Sequence, residues 1–483
     1  MKERIPKILK NAVFINSINK KPKLEARKFV AKPRLTFLGG VGTVTGSKYL
    51  LEYEHKKILI DCGLFQGLKE LRLRNRSPFI IEPRDIDAIL LTHAHIDHSG
   101  YIPLLVKKGF KGPVYCSKAT LDLCSILLPD SGYLQEEDAK HARKWGYSKH
   151  KKPEPLYTKK DAERSLKYFK SVDFGIEYKI SQDLTFQINR VGHILGAGSI
   201  TVKFGNKSIL FSGDIGRTNA LIMKKPEQIP ETDYIVVEST YGNRKHKDIN
   251  PEKKLEKIIN ETALNGGSII IPAFAVGRSQ NILHIVTQLR KEKKIPDIPV
   301  FLDSPMSIKV TNLLEKYPNE HNLSFNESKE IYASTNFTVT PDQSKKIKTY
   351  GKPLIIISAS GMISGGRILH HIKDFGTNPN NTILFPGYQA LGTRGRNILE
   401  GKKEIKIHGQ MIPINAKIEK LNNMSAHADY SEIIEWLSTR KKKPTKVFIT
   451  HGEDESAAFM KKSIEEKFGW NCITPKYLQI EEL

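Results

Sequence analysis

Residues 92–100 read THAHIDHSG and follow directly on the apolar run 86–91, IDAILL. His93, His95, Asp97 and His98 therefore fall within six residues, at the end of what reads as a strand. One histidine in such a place would be an ordinary polar turn. Four imidazole and carboxylate groups crowded together suit a metal that neutralises and shares them. A dinuclear site needs more ligands than four, and the rest of the chain offers them at strand ends. His193 stands in the glycine-rich loop GHILGAGS, and Asp214 in FSGDIG is a carboxylate able to bridge two metals. His451, in THGE, comes straight after the apolar run KVFI. Each of the three alone would be a capped loop residue; in this order and number they form a set.

The chain has 483 residues, 39% hydrophobic and 27% charged, as expected of a globular protein of several domains. Its charge is less ordinary, with 77 Lys and Arg against 52 Asp and Glu for a net +25. Residues 1–34 hold 11 bases and 2 acids and supply +9, so +16 is spread over the body, as on a surface that meets phosphates. Cys62, Cys116, Cys124 and Cys472 have no CxxC spacing, which fits a reducing compartment and excludes a cysteine-based zinc finger. No apolar run approaches the ~18 residues needed to cross a bilayer. The N-terminal 34 residues lack a secretory apolar core and read as a flexible basic arm.

From Leu35 short apolar runs alternate with glycine-rich breaks (LTFLGG, SKYLLEYE, KKILIDCG), which predicts an antiparallel meander. The glycines of GGVGTVTGS (39–47) miss phosphate-loop spacing and lead into a strand, so that reading is rejected. Residues 117–170 read as helical around a charged loop, GYSKHKKPEPLYT, before strands resume at LTFQINRVGHILGAGSITVKFGNKSILFSGDIGR. After Gly242 helices alternate with apolar strands (SIIIPAFAVG, IPVFLDS, KPLIIISASG, NTILFPG), the pattern of a parallel sheet. From about Met424 the tail reads as helix, strand and a final helix, so one architecture is inserted into another.

The order HxHxDH, GH, SGD and a late HG resembles the metallo-β-lactamase superfamily of hydrolases. Glu238 in VVESTYG, His427 in MSAHADY and His451 in ITHGE narrow the resemblance to its nucleic-acid-processing β-CASP branch. Within that branch the chain resembles the compact bacterial and archaeal ribonucleases that are similar to the endonuclease subunit of the cleavage and polyadenylation complex. The likeness runs from residue 35 to the C terminus, taking in PAFAVGRSQ, SASGMISGGR and GYQALGTRGR; residues 1–34 match nothing in it.

This resemblance implies an α/β fold: an αββα metallo-β-lactamase sandwich (35–242 and 424–483) with an inserted β-CASP domain (243–423), a parallel sheet flanked by helices, behind the basic extension 1–34. It implies that His93, His95 and His193 hold one zinc, that Asp97, His98 and His451 hold the other, and that Asp214 bridges them. Manganese is the alternative metal, and Asp61 of DCG resembles an acid that braces the ligand loops. The activity implied is a two-metal hydrolysis of RNA phosphodiesters, endonucleolytic or from the 5′ end, with Asp97 and Asp214 in the catalytic set. His427 is suited to protonating the departing ribose oxygen, and Glu238 to orienting it. Arg278, Ser358, Ser360, Gly361 and Arg367 are expected as RNA phosphate contacts in loops of the insertion. Single-stranded RNA is the expected partner of a cytoplasmic protein, with a homodimer as the expected assembly and no membrane. Two other readings compete: a DNA-processing nuclease of the same branch, whose members typically carry an apolar residue in place of His451, and a non-catalytic RNA-binding scaffold. All seven ligand positions are filled here, which disfavours the scaffold.

Overall fold

A computed structural model of the chain describes residues 32–145, 153–246, 250–351, 353–387, 389, 392–421 and 424–483. Most of the basic extension, residues 146–152 of the charged loop and positions 388, 390 and 391 of GYQALGTRGR lie outside the described residues.

The meander forms as its pattern predicts: Arg34–Phe37, Tyr49–Tyr53 and Lys56–Ile60 pair antiparallel in sequence order. The same sheet then continues by parallel pairing through Ala88–Leu90, Val114–Ser117 and Phe169–Val172, and Ile480–Glu482 closes its other edge against Arg34–Phe37. A second sheet has the order Cys472–Ile473, Lys446–Thr450, Tyr234–Glu238, Lys207–Phe211, Gly198–Phe204, Leu184–Arg190, Glu177–Ser181. Alternate residues of the two sheets meet face to face. Leu35, Phe37, Leu51, Ile58 and Ile60 from one share a core with Phe186, Ile200, Val202, Phe204 and Phe211 from the other, and the Phe37 and Phe448 rings lie 5.3 Å apart. Each such side chain contributes roughly 1.5–3 kcal/mol by leaving water. The odd faces go to helices. Leu50, Leu59 and Ile89 join a cluster with Ile102–Lys107 and Lys118–Trp145, while Ile235, Val237 and Ile449 join one with Tyr430–Ser438 and Asp454–Phe468. The layering is helix, sheet, sheet, helix.

Two expectations are corrected here. Residues 117–170 are not helical throughout, because Phe169 begins an edge strand of the first sheet. The tail does not end on its helix either: Cys472–Ile473 and Ile480–Glu482 each add a strand. At two and three residues these strands are too short to display a period in sequence.

Between Tyr234–Glu238 and Lys446–Thr450, which pair parallel with Glu238 opposite Thr450, the chain builds a third sheet. Its order is Asn336–Phe337, Val300–Leu302, Ile355–Ser358, Ile269–Pro272, Thr382–Phe385, Lys417–Lys420, all parallel. The unbroken runs IIIP and IIIS belong to such a sheet because both faces are covered. Ile269 and Ile271 face Leu255 and Ile282 of helices Pro251–Leu264 and Arg278–Lys291, and Ile270 and Ile356 face Ile372 of Ile368–Phe375. Among the described residues no helix is long and apolar enough to cross a membrane. The four cysteines are free and buried.

Candidate active site

The strand Lys56–Ile60 delivers Asp61, which sits at φ +56°, a region costly for most side chains but tolerated by aspartate. Its buried carboxylate accepts from the Thr92 backbone N–H (2.8 Å) and hydroxyl (2.9 Å), and pairs with His98 Nδ1 at 2.7 Å. That fixes His98 with Nε2 turned inward, 3.2 Å from Asp214 Oδ1. Around the other oxygen, Asp214 Oδ2, stand His93 Nε2 at 3.4 Å and His193 Nε2 at 3.5 Å. His95 Nδ1 lies 3.1 Å from His93 Nε2 and 3.2 Å from His193 Nε2. On the Oδ1 side, His451 Nε2 is 3.4 Å from Asp214 Oδ1 and 3.9 Å from Asp97 Oδ2. The seven expected ligands are thus brought together as two sets able to hold a cation, with Asp214 between them.

The donor chemistry fits cations. His98 Nε2 and Asp214 Oδ1 are buried without hydrogen-bond partners, which is costly unless a third body takes their lone pairs. Burial and the neighbouring imidazolium His98 would form push His93 down to about 3. His95 and His193 are also lowered, first by burial, so these rings offer neutral nitrogens. Burial works to protonate Asp214, but the surrounding histidines, His451 and His98 foremost, hold its carboxyl well below the usual range. Behind the ligands, Ser47 Oγ lies 2.7 Å from His451 Nδ1 and Thr92 Oγ1 lies 3.1 Å from His93 Nδ1. Sequence reasoning missed Ser47, Thr92 and Lys48. The glycine-rich stretch around Ser47, rejected as a phosphate loop, has this other use: Ser47 N–H donates to the Asp97 carbonyl at 2.9 Å. Lys48 Nζ is buried and donates to the Gly46 and Gly63 carbonyls of the flanking loops.

Glu238 ends its strand almost fully buried, so it is no surface acid. It accepts from the Ile215 N–H at 2.5 Å and faces His427 Nδ1 at 3.2 Å. His427 reaches it because Ala428 N–H donates to the Ile215 carbonyl at 2.8 Å, tying the two loops together. With Nδ1 committed, His427 Nε2 is left 3.9 Å from Asp214 Oδ2 on a ring 21% exposed. Burial disfavours its charged form, but Glu238 and Asp214 outweigh that and push the ring up to about 9. Asp214, Glu238 and His427 also stand close enough to share a cation. Glu238 already serves Ile215 and His427, which suits a proton-holding pair better.

These groups line a cleft of about 2160 Å³, with His193 and His427 on one wall and Phe274, Arg278 and Ser360 on the wall contributed by the insertion. The five residues expected to contact phosphate divide there. Arg278 and Ser360 line the cleft, although Arg278 opens a helix and its guanidinium donates to the Pro386 carbonyl. The expectation fails for Ser358, which is a fully buried strand residue whose hydroxyl donates to the Asp303 carbonyl at 2.8 Å. Arg367 is committed inward as well, to Asp303 Oδ1 (2.7 Å) and to the Thr338 and Val339 carbonyls (2.9 and 2.7 Å). Gly361 packs its bare backbone against the Phe274 ring and offers its carbonyl to Gln389. Asp303, which also takes His371 Nε2 at 2.6 Å, is the hub that sequence reasoning missed; its only signal is an acid after the strand VFL.

Comparison with known proteins agrees with this layout. The model of the metallo-β-lactamase superfamily matches residues 41–238, that of the Beta-Casp domain matches 279–398, and that of the Zn-dependent metallo-hydrolase RNA specificity domain matches 411–475. Ribonuclease TTHA0252 of Thermus thermophilus is 31% identical over 429 residues, 87% of this chain and 94% of that protein. Transcription termination factor FttA of Methanosarcina mazei is 32% identical over 459 residues, covering 90% of this chain and 69% of the longer relative. A crystal structure of a protein of unknown function from Enterococcus faecalis has the same fold, with a TM-score of 0.57 at 15% identity over 94% of this chain and 100% of that one. With its paired ligand sets, its inserted parallel sheet and a relative matched nearly end to end, the chain belongs to the β-CASP branch of the metallo-β-lactamase superfamily and is a metal-dependent hydrolase.

Proposed function

We propose that the chain is a ribonuclease that hydrolyses single-stranded RNA with two zinc ions. The observation that carries this reading is Asp214, whose two oxygens face two separate ligand sets beside the Glu238–His427 pair. His93, His95, His193 and Asp214 would hold one ion; Asp97, His98, His451 and Asp214 the other. Ions bound there supply Lewis acidity, activating water near neutral pH and offsetting charge on the scissile phosphate. The chain's own residues do the rest. Asp61, Thr92 and Ser47 set which nitrogen of His98, His93 and His451 faces inward. His427, oriented through Nδ1 by Glu238, has Nε2 free to give a proton to the departing ribose oxygen.

The substrate class rests on three supports. The net +25 suits a polyanion held through its backbone, and the cleft beside the ligands has a volume of about 2160 Å³. The matched RNA specificity domain spans His427 and His451. The named relatives are a ribonuclease and transcription termination factors. The insertion, residues 243–423, serves as the opposite wall, with Arg278 and Ser360 placed to meet the strand. The deciding experiment incubates zinc-loaded protein with RNA and matching DNA labelled at either end. Internal RNA fragments or stepwise shortening from the 5′ end support the reading. Cleavage of DNA alone, or no product from metal-loaded protein, overturns it.

A further inference from the structure

Phe274, in PAFAVGR, is 45% exposed and lines the same cleft as His193 and His427. It is the one exposed aromatic ring among the described residues lining that cleft. Three other exposed rings have company: Phe459 meets Tyr430 at 5.2 Å, Tyr350 meets Phe301 at 5.0 Å, and Phe325 has Lys329 Nζ at 4.3 Å. Among the described residues no ring lies against Phe274. Its position is nonetheless built. The Phe274 carbonyl accepts from both the Ser279 N–H (3.2 Å) and hydroxyl (2.8 Å). One side of the ring is backed by Gly361, where a Cβ would come within 3.0 Å of the ring. A glycine there lets the ring approach bare peptide, where any side chain would meet it. A lone exposed ring is ordinary on a protein surface, but this one lines the same cleft as the ligand histidines and offers an apolar surface to whatever occupies it. Arg278, four residues on in the chain, lines the same cleft, with its guanidinium donating to the Pro386 carbonyl.

We infer that Phe274 is a stacking platform for one nucleobase of the RNA strand in the cleft. The inference rests on the ribonuclease reading and deepens it. A phenylalanine face has no hydrogen-bonding edge and accepts any base, so the contact fixes where the strand lies and not which sequence it has. Phe274 is thus a positioning residue, and its removal acts on binding more than on the chemical step.

The test combines variants with abasic oligonucleotides. Phe274→Ala is expected to raise KM for single-stranded RNA about 10- to 100-fold, the range of one base–aromatic stack, with kcat changed far less. Phe274→Trp restores it. Phe274→Leu keeps the apolar contact with Gly361 but loses the flat face, so it shares the defect of the alanine variant while melting like wild type. An abasic residue moved along the strand weakens wild-type binding most at one position, and Phe274→Ala adds nothing there. Full additivity at every position, or an unchanged KM in the alanine variant, overturns the stacking role while cleavage by wild type leaves the ribonuclease reading standing. If wild type binds no single-stranded RNA at all, that reading falls and this inference falls with it.

Discussion

Two loop clusters face each other in this molecule's sequence as near equals, and the structure separates them. The histidine loops of the sandwich gather buried nitrogens and oxygens that point at a common centre and leave His98 Nε2 and Asp214 Oδ1 without partners. The serine–glycine–arginine loop of the insertion gathers equally polar groups, yet Ser358 and Arg367 both end on Asp303. The first cluster keeps its hydrogen-bonding capacity open toward a ligand; in the second, Ser358 and Arg367 have committed theirs to Asp303 while Ser360 lines the cleft. Residue type cannot tell the two apart. What marks the first is the convergence of several ligand-type groups, some with unmet capacity, on one buried point.

The sharpest way to break this contrast is to remove the atom at its centre. Asp214→Ala is expected to abolish turnover and to lower bound zinc by more than any single histidine change, because its two oxygens serve both ligand sets. Elemental analysis after zinc loading checks this, and a variant retaining two ions per chain would refute the bridging role. Next in size, His427→Ala should keep its metal and lose ~10²–10⁴ in kcat, the contribution of a positioned proton donor. A substrate with sulfur at the departing position should recover much of that loss, and Glu238→Gln should show a smaller defect in the same direction. An emptied metal position in His427→Ala would instead make it a ligand.

The closed cluster predicts the opposite signature. Arg367→Met or Asp303→Ala leaves a buried charge or its partners unpaired and should cost roughly 3–5 kcal/mol of stability, read by denaturant melts, with zinc content unchanged. If Arg367→Met weakens RNA binding without lowering stability, the loop is a phosphate site after all. Burial works to protonate Asp303, but His371, Ser344 and Arg367 more than offset it and hold its carboxyl below the usual range. A depressed carboxyl stabilises the fold above the ordinary carboxylate range and loses that contribution as pH falls through the lower folded value. Melts of Asp303→Asn should therefore lose less stability than wild type as pH falls below about 4, the ordinary carboxylate value. The smallest effect concerns diffuse charge. Affinity for single-stranded RNA should fall linearly in log–log plots against salt, and deleting residues 1–34 should flatten the slope only modestly, since +16 of the +25 lies elsewhere. A flat plot from the full chain would rule out backbone binding.

Much of this was legible in sequence, for identifiable reasons. The strand IDAILL ending in THAHIDHSG marks a site because so many imidazoles and carboxylates at one strand end need a cation to share them. The run IIIPAFAVG announced a sheet covered on both faces. The supporting contacts were not legible, because they join residues far apart in the chain: Ser47 meets His451 across 404 positions, and Asp61 meets His98 across 37. The internal hydrogen bonds of Ser358 and Arg367 were not legible for the same reason. Their partner Asp303 lies 55 and 64 residues away, and nothing local shows that it will take them.

The parallel pairing of Tyr234–Glu238 with Lys446–Thr450 has a consequence in time as well as space. A chain emerging from the ribosome completes the entire inserted sheet before the strand that carries His451 exists. Until that strand arrives, Asp97 and His98 lack their third companion, and the His427 loop has only just been made. A chain cut short before Lys446 therefore lacks one member of that set, however well the inserted sheet has formed.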